Sequence, residues 1–262
     1  MINAVRIFAI GGVISYRALF NWQSPTYYIP TMLAHPLFQV LFFAYLGRFS
    51  HVRDDAFYVV GNAVQVCAMA AVYGMAMTVG GERWTQTLSP LLATPANRFA
   101  LFLGRALPQV ANGFVVSAFA FCCGWALLDF DPPAASIPAL ALVVAVTTAS
   151  CTGFGMVAGA LGLRFRDVFM ISNPAYFVML LVCGVNVPLS ALPGWLAWIG
   201  RSLPLTHGIE AARKIAAGAP LGSVSGLVWT EIGIGSAWAA ASYLLLRFFE
   251  EESRRRATLE LL

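Results

Sequence analysis

The chain has 262 residues, of which 59% are hydrophobic and only 11% are charged, with a net charge of +4. A soluble domain carries about 25% charged residues, and a water-facing surface needs polar groups in quantity, so composition excludes an ordinary soluble protein. Lipid is the solvent this chain matches.

Residues 1–25 read as an amphipathic helix lying along a membrane surface. Arg6 and Arg17 are three helical turns apart and share a face, while Phe8 and Leu19 point the other way. The apolar patch 7–14 is too short for a signal peptide, Arg17 follows it closely, and no A-x-A site appears. A loose tail is the alternative.

Charge then disappears for long stretches. No Asp, Glu, Lys or Arg occurs in 18–47, 56–81, 106–128, 132–163 or 168–200. Each gap exceeds the about 20 apolar residues that a bilayer-crossing helix needs. A sixth apolar run, about 226–249, is interrupted only by Glu231. Lipid offers no partner to open backbone, so these runs are helical, and they lack the alternation of a membrane β-barrel. The expectation is an all-α membrane protein of one domain, with six spans at 27–47, 56–80, 100–128, 136–163, 168–187 and 227–249. A cytosolic tail, 250–262, follows. In it Glu250–Arg254, Glu251–Arg255 and Glu252–Arg256 stand at i,i+4 and carry the last helix into water.

Within the spans, polar residues are few. His35 and Gln39 form an i,i+4 pair in span one. The histidine reads either as a hydrogen-bonded packing residue or as a catalytic one. Asn62, Gln65, Met69 and Tyr73 recur on one face of span two, which suits a helix contact or the border of a transport path, and His35 and Gln39 are candidates for the same path. Gly155 and Gly159 make a GxxxG in span four and predict close helix packing. Pro188, Pro193 and Pro204 break the stretch before span six, where Trp195 and Trp198 suit an interfacial anchor or short re-entrant helices. Glu231 is the clear intramembrane charge, costly to bury and a candidate for function. Arg105 snorkels from the inner end of span three.

Six spans put both termini on one side. With that side inside, the inner segments carry 11 of the basic residues and the outer segments 5. This bias places both termini in the cytoplasm and the chain in the cytoplasmic membrane.

Enzyme chemistry is thinly supplied. The five cysteines fall in the spans with no C-x-x-C, and no metal-ligand spacing appears. Ser225 in GSVSG is at the fourth position, so the nucleophile-elbow pattern fails. Lys214 is the only lysine and Ile215 follows it, so these residues hold no Walker A motif. The chain is expected to bind no cofactor, and any ATP and its Mg belong to another polypeptide. No basic stripe with interleaved aromatics points to nucleic acid.

Between spans two and three lies the polar loop GERWTQTLSPLLATPANR, 81–98. Leu88, Leu91 and Leu92 fall at i, i+3, i+4 and predict a short amphipathic helix, kinked by Pro90 and ended by Pro95. Such a stripe docks into a partner's groove or rests on lipid headgroups.

This loop resembles the E-R-x-x-G-T-L-E…T-P pattern of ABC-2 type permeases, the membrane subunits of type V ABC exporters. Glu82, Arg83, Thr87, Leu88, Thr94 and Pro95 match, with Gln86 in place of the glycine and Ser89 in place of the glutamate. The stretches FYVVGNAVQ (57–65), ALFLGRALPQ (100–109) and 173–215 resemble the same family. The resemblance implies that 81–98 is a coupling helix seated on a separate ABC ATPase, with two ATPase copies below. It also implies outer re-entrant helices between spans five and six, and pairing with a second copy or a related permease through spans one, two and five. The implied cargo is a drug-like molecule, a lipid or a lipid-linked glycan, the drug-exporter branch being nearer. Two other classes stay open: an ATP-independent channel or ion-coupled carrier that uses Glu231, and a membrane enzyme built on His35 or His207.

Overall fold

A computed structural model of the chain describes residues 11–12, 25–50, 54–80, 98–165 and 167–256. The expected interfacial helix (apart from 11–12), the 81–97 part of the coupling loop and residues 257–262 of the tail lie outside the described residues. Among the described residues the regular structure is helical: α1 Pro25–Ser50, α2 Asp55–Gly80, α3 Arg98–Leu127, α4 Ile137–Phe165, α5 Phe169–Val182, α6 Gly194–Ser202, α7 Thr206–Ala216 and α8 Leu221–Arg256, with single 3-10 turns at Ala134–Ser136 and Leu189–Ala191.

Among the described residues five helical stretches are long and apolar enough to cross a membrane: Pro30–Phe49, Asp55–Gly80, Phe102–Leu127, Ala134–Gly162 and Leu221–Phe249. They fall on the first, second, third, fourth and sixth expected spans. The last helix begins six residues earlier than the expected 227, because Pro220 sits just before its first turn and the chain from Leu221 can wind at once.

The fifth segment differs from expectation. α5 has only 14 residues, about 21 Å of helix against a hydrocarbon layer of about 30 Å. Its stop is local. Cys183 caps it by donating its N–H to the Met179 carbonyl at 3.1 Å, and Gly184 follows at φ +78°, a left-handed conformation that closes helices. A Cβ at Gly184 would also stand 2.5 Å from Leu189 Cδ1. From 183 to 187 the backbone is non-helical.

α2 is the centre of the bundle. It packs most heavily on α4 and α3, and also touches α1, α5 and α7. Its residues from Tyr58 to Ala68 are all buried. The close approach of α4 is made by the GxxxG glycines. A Cβ at Gly155 would lie 2.9 Å from the Ala71 carbonyl oxygen and Val72 Cα, and one at Gly159 would lie 2.7 Å from Val79 Cβ. Backbone cannot step aside as a side-chain tip can. Gly155→Val is therefore expected to destabilise the bundle by about 1–3 kcal/mol, read as a lower midpoint of thermal unfolding in detergent. A second small-residue crossing joins α4 to α8: a Cβ at Gly153 would stand 2.8 Å from the Gly235 carbonyl, and one at Gly235 would stand 2.7 Å from Ser150 Cα.

Candidate functional site

Two polar assemblies stand out in an otherwise apolar bundle. The first is a seam of amides and phenols where α1, α2, α5 and the 183–187 bend meet. The Tyr176 hydroxyl on α5 donates to Gln39 Oε1 on α1 at 3.1 Å. Gln39 Nε2 donates to Asn62 Oδ1 on α2 at 3.0 Å. Asn62 Nδ2 donates both to its own helix, at the Tyr58 carbonyl (3.0 Å), and to Asn186 Oδ1 in the bend (2.8 Å). A buried amide left without partners costs about 1–3 kcal/mol per group, so this relay fixes the four segments as a unit. Further along α2, Tyr73 donates to Asn173 Oδ1 at 2.5 Å, and its ring stands 5.8 Å from that of Tyr176.

Gln65 breaks the pattern. It lies one turn from Asn62, is 0% exposed, and neither its Oε1 nor its Nε2 has a hydrogen-bond partner among the described residues. The Tyr176 phenol is close enough to feel its amide, yet no well-aligned bond joins them. The large majority of buried side-chain polar atoms are hydrogen-bonded, so an amide with both ends open marks a candidate contact for a bound molecule.

Of the residues proposed from sequence for a path, Gln39, Asn62, Gln65 and Tyr73 thus fall on one seam, with Met69 half-buried on the same face of α2. His35 stands apart, exposed on α1, while its i,i+4 neighbour Gln39 is turned to Asn62 and Tyr176. Sequence reasoning missed Tyr176, Asn173 and Asn186. Their signal was an N-x-x-Y turn and an asparagine inside an apolar run.

The second assembly seals the end of the bundle that holds α6 and α7. Glu231 on α8 is 0% exposed and is used as a helix cap. Its Oε1 accepts the Leu205 N–H at 2.7 Å and its Oε2 the Gly208 N–H at 3.2 Å, both at the start of α7. A carboxylate at a helix N-terminus meets unsatisfied donors and the positive end of the dipole. Leu205 adopts φ +102°, a strained conformation for a residue with a Cβ, which is held in place by that bond and by complete burial. Thr147 closes on Gly208, which leaves no room for a Cβ there. The charge singled out from sequence as a possible ion site therefore has both oxygens engaged with backbone.

Arg213 on α7 does the complementary task. Nη1 donates to the Gly184 carbonyl at 2.7 Å, Nη2 to the Val185 carbonyl at 2.7 Å and to the Phe57 carbonyl at 3.0 Å. The guanidinium also stacks on the Phe57 ring, 3.5 Å from its centroid. The non-helical carbonyls after α5 thus find a donor inside the protein, as backbone removed from water must. Gly61 lets the bend lie against α2, since a Cβ there would strike the Val185 carbonyl. Trp195 and Trp198 on α6 face outward, 66% and 71% exposed, as interfacial aromatics do.

The coupling-loop residues Glu82, Arg83, Thr87, Leu88, Leu91, Leu92, Thr94 and Pro95 lie outside the described residues. Among the described residues no group of three or more His, Cys, Asp or Glu forms a metal site.

Comparison with known proteins bears on this geometry. The family model described as ABC-2 type transporter matches residues 12–216. The chain is 24% identical over 204 residues to the probable multidrug ABC transporter permease YbhR of Escherichia coli strain K12, and to the protein of the same name in strain O157:H7. The matched region is 74% of this chain and 53% of each relative, so the chain spans about half the length of the curated relatives it matches.

Proposed function

Because the chain belongs to the ABC-2 type transporter family, we propose that it is the membrane-spanning permease subunit of an ATP-driven exporter. Its cargo is a hydrophobic or amphipathic molecule, and a separate subunit hydrolyses the ATP. The observation that carries this reading is the family match across most of the chain, which takes in the whole amide seam and helices α6 and α7. Support for a separate motor comes from the sequence: within these residues the single lysine, Lys214, cannot form a phosphate-binding loop. The name of the relatives, multidrug permeases, favours a drug-like cargo over a glycan.

In this reading α5 and the 183–187 bend together make the fifth of six crossings, both termini are cytoplasmic, and the chain sits in the inner membrane. The loop around Leu88 seats on one of two ATPase copies. A second permease, identical or related, packs against α1, α2 and α5. The exposed aromatic face of α1, with Phe38, Phe42 and Phe49 at 62–85% exposure, supplies surface for that contact. Movement of the coupling loop shifts the dimer between inward-open and outward-open populations. The seam that holds Gln39, Asn62, Gln65 and Tyr73 borders the path, with Met69 beside them and His35 toward the α1 surface. The carrier reading built on Glu231 loses ground, because its carboxylate is engaged as a cap.

Purification in mild detergent tests the proposal. An ATPase is expected to co-purify, and Leu88→Asp, which places a charge in the docking stripe, is expected to lower the ATP hydrolysis of the complex at least tenfold. A chain that purifies alone and conducts cargo across liposomes without ATP would overturn it.

A further inference from the structure

The seam has a chemical preference. Gln39, Asn62, Asn186 and Tyr176 bond to one another and form a fixed frame. Gln65 alone holds spare capacity, an acceptor oxygen and a donor nitrogen side by side, enclosed and without partners among the described residues. A cation can satisfy only the oxygen and an anion only the nitrogen. A hydroxyl or an amide can satisfy both.

The surrounding charge points the same way. Of the Asp, Glu, Lys, Arg and His residues, α1, α2 and α5 carry only His35, Arg48 and Asp55. Arg48 and Asp55, at the end of α1 and the start of α2, bond to each other at 2.6 Å. The formal charge beside the bend is the Arg213 guanidinium, bonded to three carbonyls. A cationic cargo entering the seam would find no counter-ion, and an unpaired charge out of water is costly.

Access is built in as well. α1 and α5 touch each other little, and the 3.1 Å bond from Tyr176 to Gln39 bridges them over the seam.

We propose that the seam selects an uncharged cargo bearing hydroxyl or amide groups, and that Gln65 makes the discriminating hydrogen bonds. The inference rests on the reading of the seam as the transport path. It sets this chain apart from an exporter of lipophilic cations.

The test uses the full chain in lipid nanodiscs and two fluorescent probes, uncharged NBD-labelled octyl glucoside and cationic rhodamine 6G, with empty discs subtracted. Anisotropy is expected to show wild-type binding of the neutral probe at least tenfold tighter than binding of the cation. Gln65→Leu is expected to weaken the neutral probe at least tenfold. It should also leave the thermal midpoint at or above that of wild type, because the substitution removes an open amide. Gln65→Met, which keeps the unbranched shape, repeats the measurement should the leucine variant not fold. Tighter binding of rhodamine 6G, unchanged binding of the neutral probe in the variants, or a midpoint lowered by several degrees in both variants would each overturn the inference. ATP-dependent uptake of rhodamine 6G into inverted vesicles, indifferent to Gln65→Leu, would also overturn it while leaving the exporter reading intact.

Discussion

Arg213→Ala is expected to lower the thermal midpoint of the purified chain by about 6–12 °C, which corresponds to about 3 kcal/mol for a protein of this size. The substitution strips donors from the Phe57, Gly184 and Val185 carbonyls at once and removes the cation from the Phe57 ring. Hydrogen bonds to a charged group contribute about 1.5–3 kcal/mol each when buried, and the figure is discounted here because the side chain is only half-buried. Arg213→Lys should recover less than half of the loss. An ammonium is a point charge and cannot fork across three carbonyls. Cys67, Cys151 and Cys183 are buried and not in disulfides, so with the exposed Cys122 replaced by serine a thiol-reactive dye follows the transition. An alanine variant that melts with wild type would show that water replaces the guanidinium without cost, and that the clamp contributes nothing.

The second large effect is expected at Glu231. Glu231→Leu leaves the Leu205 and Gly208 N–H groups buried with nothing to accept them, at about 1–3 kcal/mol each. It also leaves the left-handed Leu205 without the bond that holds it. The loss should be concentrated in the α6–α7 hairpin. Amide exchange at Leu205 to Gly208 is expected to accelerate at least a hundredfold, while exchange in α2 and α4 changes far less. Glu231→Gln keeps one acceptor and should retain about half of the protection. The same variant separates cap from ion relay. A relay loses transport completely with glutamine, since it can no longer exchange a proton, whereas a cap loses transport only in proportion to the hairpin's stability. Full hairpin protection with abolished transport in Glu231→Gln would defeat the capping account.

Much of the bundle was legible because charge spacing and helix length answer to the same bilayer. The second, third and fourth spans were placed within two residues of α2, α3 and α4, since Asp55, Arg98 and Arg164 mark where water begins. The glycines at 155 and 159 announced a close crossing because only a missing Cβ allows it. What stayed hidden was whatever depends on backbone. Residues 183–187 are as apolar as the helix before them, so the charge gap runs straight through the point where α5 stops. Arg213 and Glu231 looked like an outer-loop charge and a possible ion site. Their partners are main-chain groups, which no side-chain pattern announces. Asn62 and Gln39 were each visible as polar residues on helical faces, while their bonds to Asn186 and Tyr176 needed the fold to bring together positions more than a hundred residues apart.

The early end of α5 has a mechanical consequence. A continuous rod through the bilayer tilts as one body, so that whatever opens one leaflet disturbs the other. A rod that gives way to an unwound pentapeptide, whose carbonyls are stapled to its neighbours by Arg213, passes no such torque along its length. In the exporter reading proposed above, the helical part swings with the motor while the far part stays bolted to α2 and α7, so that doors at opposite faces move in turn and no open bore forms.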